Sequence, residues 1–367
     1  MQDVILAVVR DPGGLNGILP VIRELRAISM HDIRLIANGT SARLLANTDE
    51  NYEVLQTVDE AFRRYVPNNK PKAVITSMCS SGGINNGMIS AFRGLCPTIS
   101  FHDYWGISLL RQGWDNPKCH PDFMVVNDEL DTDIVLRAWP DYERRQLITT
   151  GYPTSDEFAI PFDKTALKME LSSRLGVDLS VRPMVLAPIG ILQNASKVLS
   201  EIVYALNQLA LDAYFIPRFH PRMSKEAPEE VNLCRIVQGE FKGNVLIDDS
   251  SACSIQELLK ASDLIISDYS TVLFHAVLLR EPNISVWYLP EVQNEYHREF
   301  GPVTRFMPEP PFMTLGCTAK ATDRTSLGQQ ISDTLDGKLD MRAKQEKHFP
   351  LDGQNAKRAA EFILSLI

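Results

Sequence analysis

Three short segments carry residue types that could do chemistry on a charged substrate. The first is Asp268-Tyr269-Ser270-Thr271, which closes an apolar run (264–267) and opens a helical pattern through Val272, Ala276 and Leu279. Strand, hydroxyl-rich turn and helix in that order place unpaired helix N–H groups beside two hydroxyls, which suits a phosphate. A Ser270 cap would put Leu273 at the third helical position and an Asp268 cap would put Thr271 there, so neither completes a capping box. Ser270 serving only as an ordinary helix cap is the competing reading. The second segment is Arg218-Phe219-His220-Pro221-Arg222, after the apolar run 213–217. Its guanidinium and imidazole could clamp an anion, or could face solvent in a loop where Pro221 ends the strand. The third is His102-Asp103, after the run 98–101. An imidazole, with an ordinary pKa of about 6.5, can accept a proton from a hydroxyl. Asp103 could orient that ring or be the base itself. A histidine that only caps the aromatic pair Tyr104-Trp105 is the structural alternative.

Glycines supply weaker signals. Gly13, Gly14 and Gly17, with Asn16 between them, read as a turn after the first strand that lets a ligand approach the backbone. Their spacing is not the dinucleotide fingerprint. Gly82-Gly83 after the run 73–76 is similar. Six cysteines (Cys79, Cys96, Cys119, Cys234, Cys253, Cys317) form no CxxC pair. Cys119-His120, with His102 upstream, is the nearest thing to a metal set and lacks ligand spacing, so neither a metal nor a cofactor is expected. His31, His275, His297 and His348 have no sequence partners and read as structural.

Stepping outward, strands are expected at 4–9, 33–37, 73–76, 98–101, 123–126 and 147–149, with helical patterns between them. The run 4–9 is continuously apolar, as a strand buried on both faces of a parallel sheet should be. Gly151-Tyr152-Pro153 breaks the pattern, which restarts with strands at 184–187, 213–217, 245–247, 264–267 and 284–287. Helices are expected at 195–209, 255–261 and 354–367. The expectation is an α/β protein of two doubly wound Rossmann-like domains, 1–155 and 156–350, hinged near 151–180 and facing a cleft. Residues 351–367 form a helix crossing back to the first domain. Ligands in such domains sit beyond the carboxyl ends of the strands.

The 367 residues carry 37 Lys+Arg against 46 Asp+Glu, a net charge of −9. That argues against nucleic acid and anionic membrane as partners. No apolar run approaches the roughly 20 residues of a membrane span, and the opening stretch lacks a basic leader, so a cytoplasmic protein with reduced cysteines is expected. A homodimer is compatible with the sequence.

Taken together, ELLKASDLIISDYSTVLFHAVLLREPNISVWY, Arg218-Phe219-His220-Pro221 and Asp352-Gly353-Gln354-Asn355-Ala356 resemble the GT-B glycosyltransferase-like superfamily. Within it, the order of segments is most similar to the CDP-glycerol glycerophosphotransferase (teichoic-acid polymerase) group. That group carries W-H-G-x-x-x-K where this chain has His102 followed by Asp103, with Arg111 the candidate replacement for its lysine. The resemblance implies a GT-B transferase that moves a glycosyl or glycerophosphoryl group from a nucleotide-activated donor to a hydroxyl, in polysaccharide or teichoic-acid-like synthesis. It implies donor binding in the second half, at Arg218, Asp268, Ser270 and Thr271, with His220 stabilising the departing nucleotide without metal. The acceptor would bind the first half, near Gly13, Gly14 and Asn16, with His102 or Asp103 as base. A UDP-N-acetylglucosamine 2-epimerase-like enzyme and a non-catalytic nucleotide-sugar or glycan-binding protein are the alternatives.

Overall fold

The continuously apolar first run becomes strand β1 (Val4–Val9), all six residues of which are buried. The computed structural model describes residues 3–67, 70–78, 83–110, 116–191, 193–246 and 253–367. Cys79, Gly82, Arg111 and Ile247 lie outside them. Val4–Val9 is joined by β2 (Asp32–Ala37), β3 (Glu53–Val54), β4 (Ala73–Ser77), β5 (Thr98–Phe101), β6 (Phe123–Val126) and β7 (Leu147–Thr149). The sheet order is β3-β2-β1-β4-β5-β6-β7, and every pairing is parallel. Alternate residues of β1 feed different layers. Ile5, Ala7 and Val9 pack with Ile18 and Ile22 of the helix Pro12–Ile28 and with Ala359, Ala360 and Ile363 of the helix Asn355–Ser365. Val4, Leu6 and Val8 pack with Met88 and Phe92 of the helix Ile84–Phe92. The last helix is thus part of the core of this unit, and burial of Ile363 alone contributes roughly 1.5–3 kcal/mol.

A second sheet repeats the plan with β8 (Met184–Ile189), β9 (Tyr214–Phe219), β10 (Asn244–Val245), β11 (Leu264–Ser267), β12 (Asn283–Ser285) and β13 (Ala319–Lys320), in the order β10-β9-β8-β11-β12-β13. The chain divides into two compact units: residues Met1–Glu157 with Asp352–Ile367, and Phe158–Leu351.

Two local expectations are corrected. The glycine-rich stretch after β1 is not a turn preceding a helix: the helix starts at Pro12, with Asp11 as its cap, so Gly13 and Gly14 lie in its first turn. Proline at the first helical position and an aspartate before it are strong start signals that outweigh the glycines. The strand expected at 213–217 runs on to Phe219, which places Arg218 on the strand itself. The two-residue strands β3 and β13 have too little pattern to be seen in sequence.

Candidate functional site

In both sheets the chain reverses its winding beside the first strand, between β1 and β4 and between β8 and β11. The carboxyl ends of those strands are where a doubly wound sheet opens a crevice for ligand.

In the first unit, Asp11 Oδ1 accepts the Gly14 amide at 2.8 Å, starting the helix close against its neighbours. A Cβ on Gly14 would lie 2.0 Å from Ser77 Oγ, and one on Gly13 would lie 2.4 Å from Asp103 Oδ2. The two glycines are therefore required by side chains of the protein itself, Ser77 at the end of β4 and Asp103 after β5. Asn16, on the same helix, is exposed. Asn85 is fully buried and donates to Ser77 O (2.9 Å) and Oγ (3.1 Å), while its own Oδ1 has no hydrogen-bond partner among the described residues.

His102 follows β5 directly, and its amide donates to Val125 O of β6 at 3.0 Å. Its side chain is fully buried, as is that of Asp131, and Nδ1 lies 2.9 Å from each Asp131 carboxylate oxygen. Asp131 sits in the first turn of the helix Glu129–Ala138, capped by Asp128. It also accepts the amides of Gly106 (2.8 Å) and Asn127 (3.1 Å). Asp128 accepts Trp105 Nε1 at 2.8 Å, and burial raises its carboxyl above the usual range. His102 Nε2 is buried with no hydrogen-bond partner among the described residues. The alternative that Asp103 orients this ring is corrected: Asp131 does so. Asp103 instead lies against Gly13, and burial, with the Asp103 charge added, pushes the Tyr152 phenol up to about 12. Asp131 was not singled out in the sequence because it lies 29 residues from His102. The one available signal was Asp128 and Asp131 at cap spacing just past an apolar run.

In the second unit, Asp268 is fully buried after β11. Its Oδ2 accepts the amides of Gly190 (2.7 Å) and Ile191 (2.8 Å), and its Oδ1 accepts that of Ser270 (2.8 Å). Burial raises its pKa, while those amides favour the carboxylate. Its oxygens thus tie the end of β8 to the turn after β11. Ser270 caps the helix Thr271–Leu278 by accepting the Val272 amide at 3.3 Å, and Thr271 is exposed. A Cβ on Gly190 would come within 2.9 Å of Ser270 Cβ, so glycine permits that close approach.

Arg218 donates from Nη1 to Cys253 O at 2.9 Å. His220 Nδ1 accepts the Arg222 amide at 3.1 Å, which puts the proton of the neutral ring on Nε2. Burial and the Arg222 charge lower its pKa and favour that neutral form. Glu299, which accepts the Tyr269 hydroxyl at 2.7 Å, also acts electrostatically on His220, so the segments after β9 and β11 converge there. A cavity of about 430 Å³ opens beside Gln193, Asn194, Glu226 and Glu229 in this unit. On the next helix turn His275 contacts Phe158, ring centroids 5.0 Å apart, and desolvation pushes it down to about 4. Among the described residues no group of three His, Cys, Asp or Glu side chains could hold a metal, and His120 is stacked on Trp139 at 3.8 Å. Among the same residues no helix is long and apolar enough to cross a membrane.

The chain is 26% identical over 185 residues to a teichoic acid poly(glycerol phosphate) polymerase from Bacillus spizizenii, a match covering 48% of this chain and 43% of that protein. It therefore spans less than half the length of that relative. Among solved structures it is similar to a UDP-GlcNAc 2-epimerase from Neisseria meningitidis bound to UDP-GlcNAc (TM-score 0.66, 14% identity, 99% of this chain and 100% of that one). It is also similar to the wall teichoic acid polymerase TagF (TM-score 0.62, 12% identity, 99% of this chain and 88% of that one). These likenesses establish the GT-B fold. The family model for CDP-glycerol:poly(glycerophosphate) glycerophosphotransferase matches residues 108–365, which take in Asp131, His220 and the Asp268–Thr271 turn and begin just after His102. The chain belongs to the CDP-glycerol:poly(glycerophosphate) glycerophosphotransferase family.

Proposed function

We propose that this protein transfers a glycerophosphoryl group from CDP-glycerol to a hydroxyl acceptor in the synthesis of a teichoic-acid-like polymer. The observation that carries the reading is the His102 imidazole, held through Nδ1 with Nε2 unengaged, in a member of this transferase family. In the proposed step Nε2 takes the acceptor hydroxyl proton as the oxygen bonds to the glycerol-bearing phosphorus. The pyrophosphate P–O bond breaks, and CMP leaves with the electron pair. The second unit would hold the donor: the hydroxyls of Ser270 and Thr271, and the Nε2–H of neutral His220, present donors to phosphate oxygens. Asp268 would serve by pinning that turn, since its own oxygens are engaged with backbone amides. Arg218 would add long-range positive charge, and the cavity near Glu226 would take the nucleoside. Hydrogen-bond donors of this kind can stabilise the departing phosphate without a metal, and the exposed Asn16, on the helix whose first turn holds Gly13 and Gly14, marks the face offered to the acceptor.

The test is CMP release from CDP-glycerol, followed by ³¹P NMR, with and without a glycerol-phosphate oligomer. Acceptor-dependent CMP and a lengthened oligomer are expected. Conversion of UDP-N-acetylglucosamine with no acceptor present would replace this reading with an epimerase. Donor binding with no turnover on any acceptor would make the protein a binding protein. Binding is read as a thermal shift, since ligand at about 100 times its dissociation constant adds about 2.7 kcal/mol.

A further inference from the structure

Among the described residues, the groups hydrogen-bonded to the Asp131 carboxylate besides the histidine are all donors. The Gly106 amide meets Oδ1 at 2.8 Å, while the Asn127 amide (3.1 Å) and Asn127 Nδ2 (3.3 Å) meet Oδ2. The Asp131 amide is itself held by Asp128 Oδ1 at 2.9 Å, which anchors the residue in the first helical turn. A carboxylate so surrounded acts only as an acceptor, and His102 Nδ1 stands 2.9 Å from both of its oxygens. Nδ1 must then carry a proton, because a lone pair there would face two acceptor oxygens at hydrogen-bond distance. In the neutral ring this leaves Nε2 with its lone pair, which no hydrogen-bond donor among the described residues meets.

We infer that Asp131 is the positioning residue of the reaction: it holds His102 in the Nδ1–H tautomer, so that Nε2 is available to take the acceptor proton, and it offsets the charge the ring gains when it does. This rests on the transferase reading above, but the tautomer is measurable without turnover. Asp131 touches neither substrate; it acts through the ring. A merely structural Asp131, serving as a helix-turn anchor for Gly106 and Asn127, would leave the tautomer and the turnover of the folded protein indifferent to loss of its charge.

The experiment is ¹⁵N NMR of histidine-labelled full-length protein, with His102 assigned by the His102→Asn variant, alongside steady-state kinetics of Asp131→Asn. Wild type should show a protonated Nδ1 and an unprotonated Nε2. Asp131→Asn, nearly identical in shape, should give a mixed or exchanged tautomer signal, and kcat should fall about 10²–10⁴-fold with the donor KM unchanged. Asn at 102 keeps an N–H close to the Nδ1 position while removing Nε2, so adding Asp131→Asn to that background should cost nothing further in kcat. A wild-type ring protonated on Nε2 overturns the proposal, as does a folded Asp131→Asn variant with full kcat, or losses that multiply in the double variant. If Asp131→Asn fails to fold, the wild-type tautomer still decides. If the protein turns over no nucleotide donor, the transferase reading fails while the tautomer measurement still stands or falls by itself.

Discussion

The two switch points share a strand order and differ in what they do with polar atoms. In the first unit the end of the sheet buries an imidazole whose Nδ1 is fixed by Asp131 and whose Nε2 has no hydrogen-bond partner among the described residues. Among the same residues the buried Asn85 Oδ1 likewise has no partner. In the second unit the buried acid, Asp268, is held by three amides, and the groups beside it that can face a ligand are donors: the exposed Thr271 hydroxyl and the Nε2–H of neutral His220. One site is rich in acceptors and can remove a proton. The other is rich in donors and can receive negative charge. Identical topology thus sets only where a site lies, while the balance of donors and acceptors decides which half of a reaction it serves.

The sharpest way to break this contrast is His102→Ala, expected to cut turnover about 10²–10⁴-fold. Donor affinity, read by calorimetry, should hardly change, because the donor contacts are assigned to the other unit. Near-normal turnover would remove His102 from the mechanism and leave Asp103 as the remaining base. Next in size is Asp268→Ala. Three amides lose their acceptor, and at about 1–3 kcal/mol per donor left unmade, stability should fall by about 3 kcal/mol or more in urea denaturation. A variant with wild-type stability and lost donor affinity would instead mean that Asp268 touches the donor directly.

A third test uses acid. Desolvation holds His275 at about 4, below the ordinary imidazole value, so its neutral form is the one the folded state favours. The associated stability is complete above about pH 6.5 and is lost as pH falls toward the folded value. Between pH 7 and pH 5 the loss from this group should be about 2 kcal/mol, at about 1.36 kcal/mol per pH unit. His275→Gln should flatten that dependence; an unchanged acid limb would assign it to other groups. The smallest effect is expected at Thr271. Thr271→Ala should weaken nucleotide binding by about 1.5 kcal/mol, the low end for a hydrogen bond to a charged group. Its melting temperature should stay put, because the hydroxyl is exposed. Ser270→Ala should lose a similar amount of affinity and in addition about 1 kcal/mol of stability from the cap. If both variants lose stability alone, the turn is a cap and not a phosphate site.

Much of the molecule was legible in one dimension because its signals are local. Strands at 98–101, 123–126, 147–149 and 264–267 fall where apolar runs stop, and the helix Ile255–Ala261 falls where its pattern does. The family, too, was readable from the order of the Arg218–Pro221, Asp268–Thr271 and Asp352–Ala356 segments, and the family model bears that out. Less local features were not. The helix at Pro12 begins earlier than its glycines suggest, because Gly13 and Gly14 answer to Asp103 and Ser77, which only the fold brings to them. Asp268 looks in sequence like part of a ligand turn, and only the packing of β8 against β11 shows its oxygens already taken by Gly190 and Ile191. The partner of His102 was the hardest to see: Asp103 is adjacent, yet adjacent residues at a strand end point in different directions, while the helix that follows β6 carries Asp131 to the ring. Sequence by itself determined which segments become strands and helices, since that depends on periodicity and caps within a few residues. Tertiary structure alone decided which polar atoms are paired and which are left open, because hydrogen-bond satisfaction is settled by neighbours far apart in the chain.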